Sequence, residues 1–239
     1  MNYNDIEVVA LTQKLVEIES SNPGVFEGAI GDFVFDWLSA TGAVVVRDEV
    51  FPGRSNIVAY IEGEIKDPNL VYICHMDTVP IGEGWDHDPL KAEIIDGKIY
   101  GRGACDMKAG LAAGMVAFRN IVMAKKKPKY NFVFIASVDE EDIMYGAEKA
   151  VKSGWINKNS WVLDSEPTNG IIQVAHKGKT WFKLTTHGVA AHASTPWKGI
   201  DAIGAMAEII SSIRRRISEC PPSNELGVST VTFGTIQGG

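Results

Sequence analysis

The stretch NLVYICHM, residues 69–76, is an almost continuous run of apolar residues that ends close to a histidine. A short run of this kind is typical of a β-strand that is buried on both faces of a sheet. Two later segments have the same character, NFVFIASV at residues 131–138 and SWVLD at residues 160–164. We therefore predict three strands that are buried inside a sheet.

Helical patterns separate these strands along the chain. Residues 109–124 and about 146–153 are expected to be helices, and residues 6–18 and 27–38 show helical patterns nearer the N-terminus. The valine-rich stretch 43–62 alternates and is expected to form strands. Buried strands that alternate with helices indicate an α/β fold, with a mixed, mostly parallel sheet flanked by helices.

The pattern changes after about residue 178. Residues 180–186 alternate like a half-exposed strand, residues 202–217 predict a helix, and residues 227–236 predict a second strand. We accordingly assign residues 1–178 to a first domain and residues 179–239 to the beginning of a small α+β unit. That unit looks unfinished, because the sequence stops at a glycine pair.

Composition excludes several classes of protein. The 239 residues carry 23 basic and 30 acidic side chains, a formal charge of −7, which argues against nucleic acid as the main partner. No apolar run approaches the roughly 20 residues that span a bilayer. Three cysteines do not suggest a disulfide framework. We expect a soluble, cytoplasmic protein with no membrane partner.

Histidine and acidic residues are concentrated just after the predicted strands and in one glycine-rich segment between them. Since ligands of open α/β sheets bind at the carboxyl ends of the strands, we expect these side chains to meet at one edge. The residues concerned are His75, Asp77, Asp106, Asp139, Glu140, Glu141, Asp142, Asp164 and Glu166.

Such an arrangement has a chemical consequence. Carboxylates that converge repel one another, and a divalent cation relieves that repulsion. Histidine together with carboxylates suits zinc, and a carboxylate that binds no metal can act as a general base. Each segment taken alone is a weak signal, because a His-x-Asp pair also occurs by chance and four acids after a strand more often form a solvated loop.

Five ordered motifs together resemble the co-catalytic zinc aminoacylase/carboxypeptidase family, which includes acetylornithine deacetylase, succinyl-diaminopimelate desuccinylase, carboxypeptidase G and the dipeptidases. The resemblance covers essentially the whole chain. The matching segments are HMDTVP (75–80), Trp85 with Asp88-Pro89, DGKIYGRGACDMKAG (96–110), DEE (139–141) and SEPT (165–168).

The resemblance implies a role for each matching residue. His75 and Glu166 would ligate the first zinc ion, Glu141 would ligate the second, and Asp106 would bridge both. Asp77 would orient the His75 imidazole from behind. Relatives hold the peptide bond after the bridging aspartate in the cis form, so we expect a cis bond between residues 106 and 107. Zinc is the expected metal, with cobalt or manganese as alternatives.

The implied activity is hydrolysis of an amide bond in an N-acyl amino acid or small peptide. Glu140 would be the general base that takes a proton from the water bridging the metals. The segment GVAAHASTP, residues 188–196, resembles the start of the family's lid or dimerisation domain. A histidine matching His192 reaches the partner subunit's active site there and binds the scissile carbonyl oxygen. A homodimer is therefore expected.

One departure leaves an alternative open. Members of the family usually carry a further zinc-binding histidine and substrate-binding lid residues later in a longer chain. Nothing after Gly239 supplies them in this sequence. The chain is expected to be the first part of the catalytic domain and of the lid. The alternative is a catalytically inactive fragment that keeps the fold and partial metal binding.

Overall fold

The computed structural model describes residues 3–239, and contacts divide the chain into two compact units, Met1–Gly170 and Ile171–Gly239. The domain boundary predicted between residues 178 and 179 lies inside the second unit and stays a prediction.

The first unit alternates helices and strands much as the sequence predicts. A short hairpin at residues 93–100 and a π-helical turn at Ala104–Lys108 are additions that periodicity did not indicate. The elements are α1 (Tyr3–Glu17), α2 (Gly28–Ser39), β1 (Val44–Phe51), β2 (Arg54–Ile61), β3 (Ile65–His75), β4 (Glu93–Ile95), β5 (Lys98–Tyr100), α3 (Ala109–Met123), β6 (Tyr130–Ser137), α4 (Tyr145–Lys152) and β7 (Trp161–Asp164).

Five strands form one mixed sheet in the order β1-β2-β6-β3-β7. The pairs β1-β2 and β2-β6 are antiparallel, whereas β3 runs parallel to both β6 and β7. The last three strands of the order therefore end at the same edge. This confirms the α/β fold with a mixed sheet flanked by helices.

Side chains that alternate along the strands fill two cores, one on each face of the sheet. Ile57, Ala59 and Phe134 belong to the larger core, where they pack with α1, α2 and α3. Their neighbours Val58 and Val133 face the other way and pack near Ala150 of α4. Period-two alternation thus buries both faces of the central strands, as their continuous apolar sequence predicts.

The prediction that residues 160–164 are buried is wrong. Trp161, Val162 and Leu163 are each at least half exposed, with relative exposures of 55%, 50% and 56%. They form β7, the last strand in the order of the sheet, which pairs with no strand of residues 3–239 other than β3. An apolar sequence therefore identified the strand correctly but not its position at an edge.

The second unit contains one long helix, α5 (Ala202–Ser218), in agreement with the predicted helix. Its N-cap is Asp201, whose carboxylate accepts a hydrogen bond of 2.8 Å from the amide of Gly204. The strands predicted at residues 180–186 and 227–236 are not formed. Only isolated bridges, Val189–Ile200 and Ser223–Gly227, occur in this unit. A strand requires a paired neighbour, and alternation of residues does not supply one.

Across residues 3–239, none of the helices combines the length and the apolar character that a membrane crossing would need.

Candidate metal centre

His75 lies at the last position of β3 and its imidazole is almost fully buried. One ring nitrogen, Nδ1, lies 2.8 Å from the main-chain oxygen of Asp77, which fixes the orientation of the ring. The other nitrogen, Nε2, faces the carboxylates at the edge of the sheet. The ring therefore presents one nitrogen to the acidic residues.

Asp106 and Glu166 complete the first group around this nitrogen. His75 Nε2 lies 3.1 Å from Oδ1 of Asp106 and 3.3 Å from Oε1 of Glu166. The donor atoms of the three residues lie within 4.8 Å of one another. The structure thus brings together the three residues predicted for the first zinc ion.

The segment around Asp106 has an unusual backbone. Gly103, which precedes the π-helical turn, has a φ of 79°, and a Cβ atom there would lie 2.5 Å from Cγ2 of Thr78. Glycine is therefore required on two grounds, conformation and space. The peptide bond between Asp106 and Met107 is cis, as predicted.

A second group joins His75 to the loop that follows β6. Oε2 of Glu140 lies 3.9 Å from His75 Nε2, and the ligand atoms of His75, Glu140 and Glu141 lie within 4.8 Å of one another. Oε1 of Glu141 also accepts a hydrogen bond of 3.1 Å from the amide of Val79. The assignment of Glu140 as base and Glu141 as ligand stays a prediction.

The electrostatics of the site suit a bound cation. Burial lowers the pKa of His75, but hydrogen bonds to Asp106 and Glu166 and the charge of Asp77 outweigh it and raise the pKa to about 11. The hydrogen bond to His75 lowers the pKa of Asp106, whereas burial raises that of Glu141. One buried imidazole surrounded by carboxylates is a donor set that divalent metals bind, so these residues fit a metal ion.

Asp77 was predicted to orient the imidazole, and its carboxylate makes other hydrogen bonds. Oδ1 of Asp77 lies 3.7 Å from Nδ1 of His75, beyond hydrogen-bonding distance. The same carboxylate accepts the amide of Glu140 at 3.2 Å and that of Glu141 at 3.0 Å. Asp77 is buried, and it connects the end of β3 to the loop that follows β6.

Sequence reasoning missed the polar residues that bind the segment immediately after β3. No role is predicted from the sequence for the segment containing Ser20 and Asn22. Its amide at Asn22 donates to the oxygen of Thr78 at 2.8 Å, and the Ser20 hydroxyl donates to the oxygen of Met76 at 2.7 Å. The one available signal was a cluster of small polar residues, SSN, that is buried here despite its polarity.

His192, the remaining predicted site residue, belongs to the second unit. Its Nδ1 lies 2.8 Å from the hydroxyl oxygen of Ser194, and the residue is exposed. Its predicted contact with a partner subunit's substrate stays a prediction.

The sequence and the fold are similar to those of known proteins. A profile of Peptidase family M20/M25/M40 matches residues 71–222. The chain is 29% identical over 209 residues to a probable succinyl-diaminopimelate desuccinylase of Staphylococcus epidermidis, covering 87% of this chain and 51% of the relative. It is 32% identical over 212 residues to the acetylornithine deacetylase of Vibrio cholerae serotype O1, covering 85% and 54%.

Among solved structures, the M20 family metallo-carboxypeptidase Sso-CP2 from Sulfolobus solfataricus has a similar fold. The TM-score is 0.65 at 18% identity, covering 88% of this chain and 49% of that one. The chain spans about half the length of the curated relatives that it matches.

Proposed function

This chain belongs to peptidase family M20/M25/M40, and on that premise we propose that it carries the metal-binding site of a hydrolase that cleaves amide bonds. The observation that supports the proposal is the convergence of carboxylates from three segments on one buried imidazole nitrogen. His75 is the last residue of β3, Asp106 lies in the turn before α3, Glu140 follows β6, and Glu166 follows β7.

Two divalent metal ions, of which zinc is the first choice and cobalt or manganese the alternatives, would be held by these residues. His75, Asp106 and Glu166, whose donor atoms lie together, would bind one ion. By the family resemblance, Glu141 would bind the other, and Asp106 would be shared between the two. When bound, such ions supply Lewis-acid polarisation of a carbonyl and lower the pKa of a water molecule.

Glu140 is the residue that moves the proton. Its side chain is 31% exposed, so that it is open to solvent while its carboxylate stays 3.9 Å from His75 Nε2. It takes a proton from the attacking water and returns it to the departing amine, which balances the hydrolysis of the amide. The hydrogen bond from its amide to Asp77 holds the main chain from which the carboxylate acts.

The substrates that we propose are N-acyl amino acids and short peptides, because the similar proteins include an acetylornithine deacetylase and a probable succinyl-diaminopimelate desuccinylase. His192 would bind the oxygen of the scissile carbonyl in a partner subunit, which requires a homodimer. We propose a cytoplasmic location and neither a nucleic-acid nor a membrane partner.

Substitution of the general base tests the proposal. Glu140→Gln should reduce hydrolysis of N-acetyl and N-succinyl amino acids by about 10²–10⁴-fold, because proton transfer is lost while the side-chain shape is kept. Metal content per chain should be unchanged. Glu49→Gln, an exposed acid on β1, serves as the control. Equal turnover in Glu140→Gln and the unsubstituted chain would refute this role, and no turnover by the unsubstituted chain would refute the activity.

A further inference from the structure

Behind the candidate metal centre lies a buried cluster of charged side chains that the proposed chemistry does not use. Arg54, near the start of β2, lies between two carboxylates that come from distant parts of the chain. Its Nε and Nη2 donate to Glu27 at 2.5 and 2.7 Å, and Nη2 also donates to Oδ1 of Asp139 at 3.2 Å. The side chain of Glu27 is fully buried and that of Asp139 is 4% exposed.

The cluster is connected to the loop that carries Glu140 and Glu141. The amide of Asp139 donates to Oε1 of Glu27 at 3.0 Å, so the carboxylate that pairs with Arg54 also holds the main chain of the loop. Asp139 itself has a φ of 68°, a left-handed conformation that is uncommon for a residue with a side chain. Its side chain accepts the amide of Tyr145 at 3.3 Å, at the far end of the same loop.

Within the described residues, Arg54 is the only cationic side chain that pairs with Glu27 or Asp139. Two buried carboxylates that lie close together repel one another unless a cation lies between them. The planar guanidinium can donate to both in fixed directions, which an ammonium group cannot do. The rings of Phe26 and Phe51, 4.3 and 4.7 Å from the guanidinium carbon, restrict its position further.

We infer that Arg54 is a positioning residue for the candidate metal centre: through Glu27 and Asp139 it fixes the loop from which Glu140 and Glu141 face His75. The inference rests on the proposed function, in which Glu140 is the general base and Glu141 is a metal ligand. It concerns the backbone of the loop, and no contact of Arg54 with metal or substrate is required.

Amide hydrogen exchange of the metal-free protein measures this effect directly. Arg54→Lys keeps the charge but loses the bidentate fork. Exchange at the amides of Glu140 and Glu141, which donate to Asp77, should become at least tenfold faster. Amides in the middle of β6, such as that of Phe134, should keep their protection. A general loss of stability would accelerate both sets, so the local pattern separates positioning from folding.

Arg47→Lys is the matched control. Arg47 lies on the neighbouring strand β1, where it pairs with Asp32 at 2.8 Å and its guanidinium carbon lies 4.3 Å from the centroid of the Phe35 ring. Neither of these contacts, taken from the described part of the chain, involves the loop. Exchange at the loop should not change in this variant. Glu27→Gln gives a second route to the same test if Arg54→Lys does not fold. Unchanged exchange at both loop amides in a folded Arg54→Lys or Glu27→Gln variant would overturn the inference.

A cobalt titration followed by visible absorption connects the effect to the metal. Substitution of residues that support metal ligands typically weakens affinity by about 10–100-fold, and we expect a loss of this size in Arg54→Lys but not in Arg47→Lys. Equal affinity in Arg54→Lys and the unsubstituted chain would also contradict the inference. If the unsubstituted chain binds no cobalt, the proposed metal site fails, whereas the exchange data still decide whether Arg54 fixes the loop.

Discussion

The side-chain amide of Asn22 donates a hydrogen bond of 2.9 Å to Oδ2 of Asp77, across a separation of 55 residues in the sequence. The same nitrogen lies 3.3 Å from Oδ1 of Asp139, so that one neutral donor serves two buried carboxylates. The segment after α1, the segment after β3 and the loop after β6 are thereby joined at one point.

Removal of this donor should destabilise the first unit. Asn22→Ala leaves two buried carboxylates short of a hydrogen bond, and we expect a loss of about 1–3 kcal/mol in the free energy of unfolding. Asn159→Ala is the matched control, because Asn159 also donates to a carboxylate, Oδ2 of Asp67, but is exposed. Its loss should stay below about 0.5 kcal/mol. Urea unfolding measures both, and equal losses would contradict the importance given to burial.

Glu166 should be required for stabilisation by metal. A metal ion at a hundred times its dissociation constant adds about 2.7 kcal/mol, which for a chain of this size raises Tm by about 5–10 °C. Glu166→Gln removes one donor of the first group and should abolish most of that rise in a zinc titration followed by differential scanning calorimetry. Glu49→Gln should keep it. An undiminished rise in Glu166→Gln would mean that the ion binds elsewhere.

The buried Lys108 should give the metal-free protein a characteristic pH dependence. Its ammonium group donates to the oxygen of Ile18 at 2.7 Å, and burial lowers its pKa from 10.5 to about 8. The folded state therefore binds fewer protons than the unfolded state between these values. Stability from this group consequently rises as the pH increases from about 8 to about 10.5.

Lys108→Met isolates this contribution. The difference in unfolding free energy between the original chain and Lys108→Met should shift by up to about 3 kcal/mol in favour of the original chain over that pH range. Denaturant midpoints measured with a chelator present, from pH 7 to 10.5, provide the test. A difference that stays constant with pH would show that the ammonium is not desolvated.

Gly146 should not tolerate a side chain. A Cβ atom at this position would lie 2.2 Å from the oxygen of Val138 and 2.8 Å from Oδ1 of Asn56, whose amide group also binds the oxygen of Gly146. Gly146→Ala should therefore cost about 1–3 kcal/mol, in the range of overpacked sites. At Gly178 nothing lies within 4 Å of such an atom, and Gly178→Ala should leave thermal unfolding unchanged. Equal Tm values for the two variants would contradict the contact.

The sequence predicts the candidate metal ligands better than the buried residues that hold the neighbouring loop in place. His75 and Glu166 each follow a short apolar run, and parallel strands bring their carboxyl ends to one edge. Asp106 was assigned from its resemblance to a known motif. Glu27 and Arg54 lie outside any such pattern, because a buried ion pair between distant loops and strands has no periodic signature.

In the second unit, the sequence predicts strands that the structure does not form. Residues 180–186 alternate as a strand would, but periodicity describes only which side chains share a face. It does not say whether another segment offers hydrogen bonds to the backbone. The exposed apolar residues of β7 illustrate the same limit within the first unit, since the sequence identifies a strand but not its number of neighbours.

The carboxylate of Asp77 accepts hydrogen bonds from the main-chain amides of Glu140 and Glu141 in the loop after β6. These bonds do not involve the side chains of the two glutamates. The shape of the loop is in that respect insensitive to which residues occupy these two positions. Mutational drift could exchange one acid for another, or for an amide, while the hydrogen bonds to Asp77 persist. The shape of the loop therefore depends on main-chain hydrogen bonds, whereas its chemistry depends on the side chains. A change of side chain at these positions can alter or abolish the reaction while the protein stays folded.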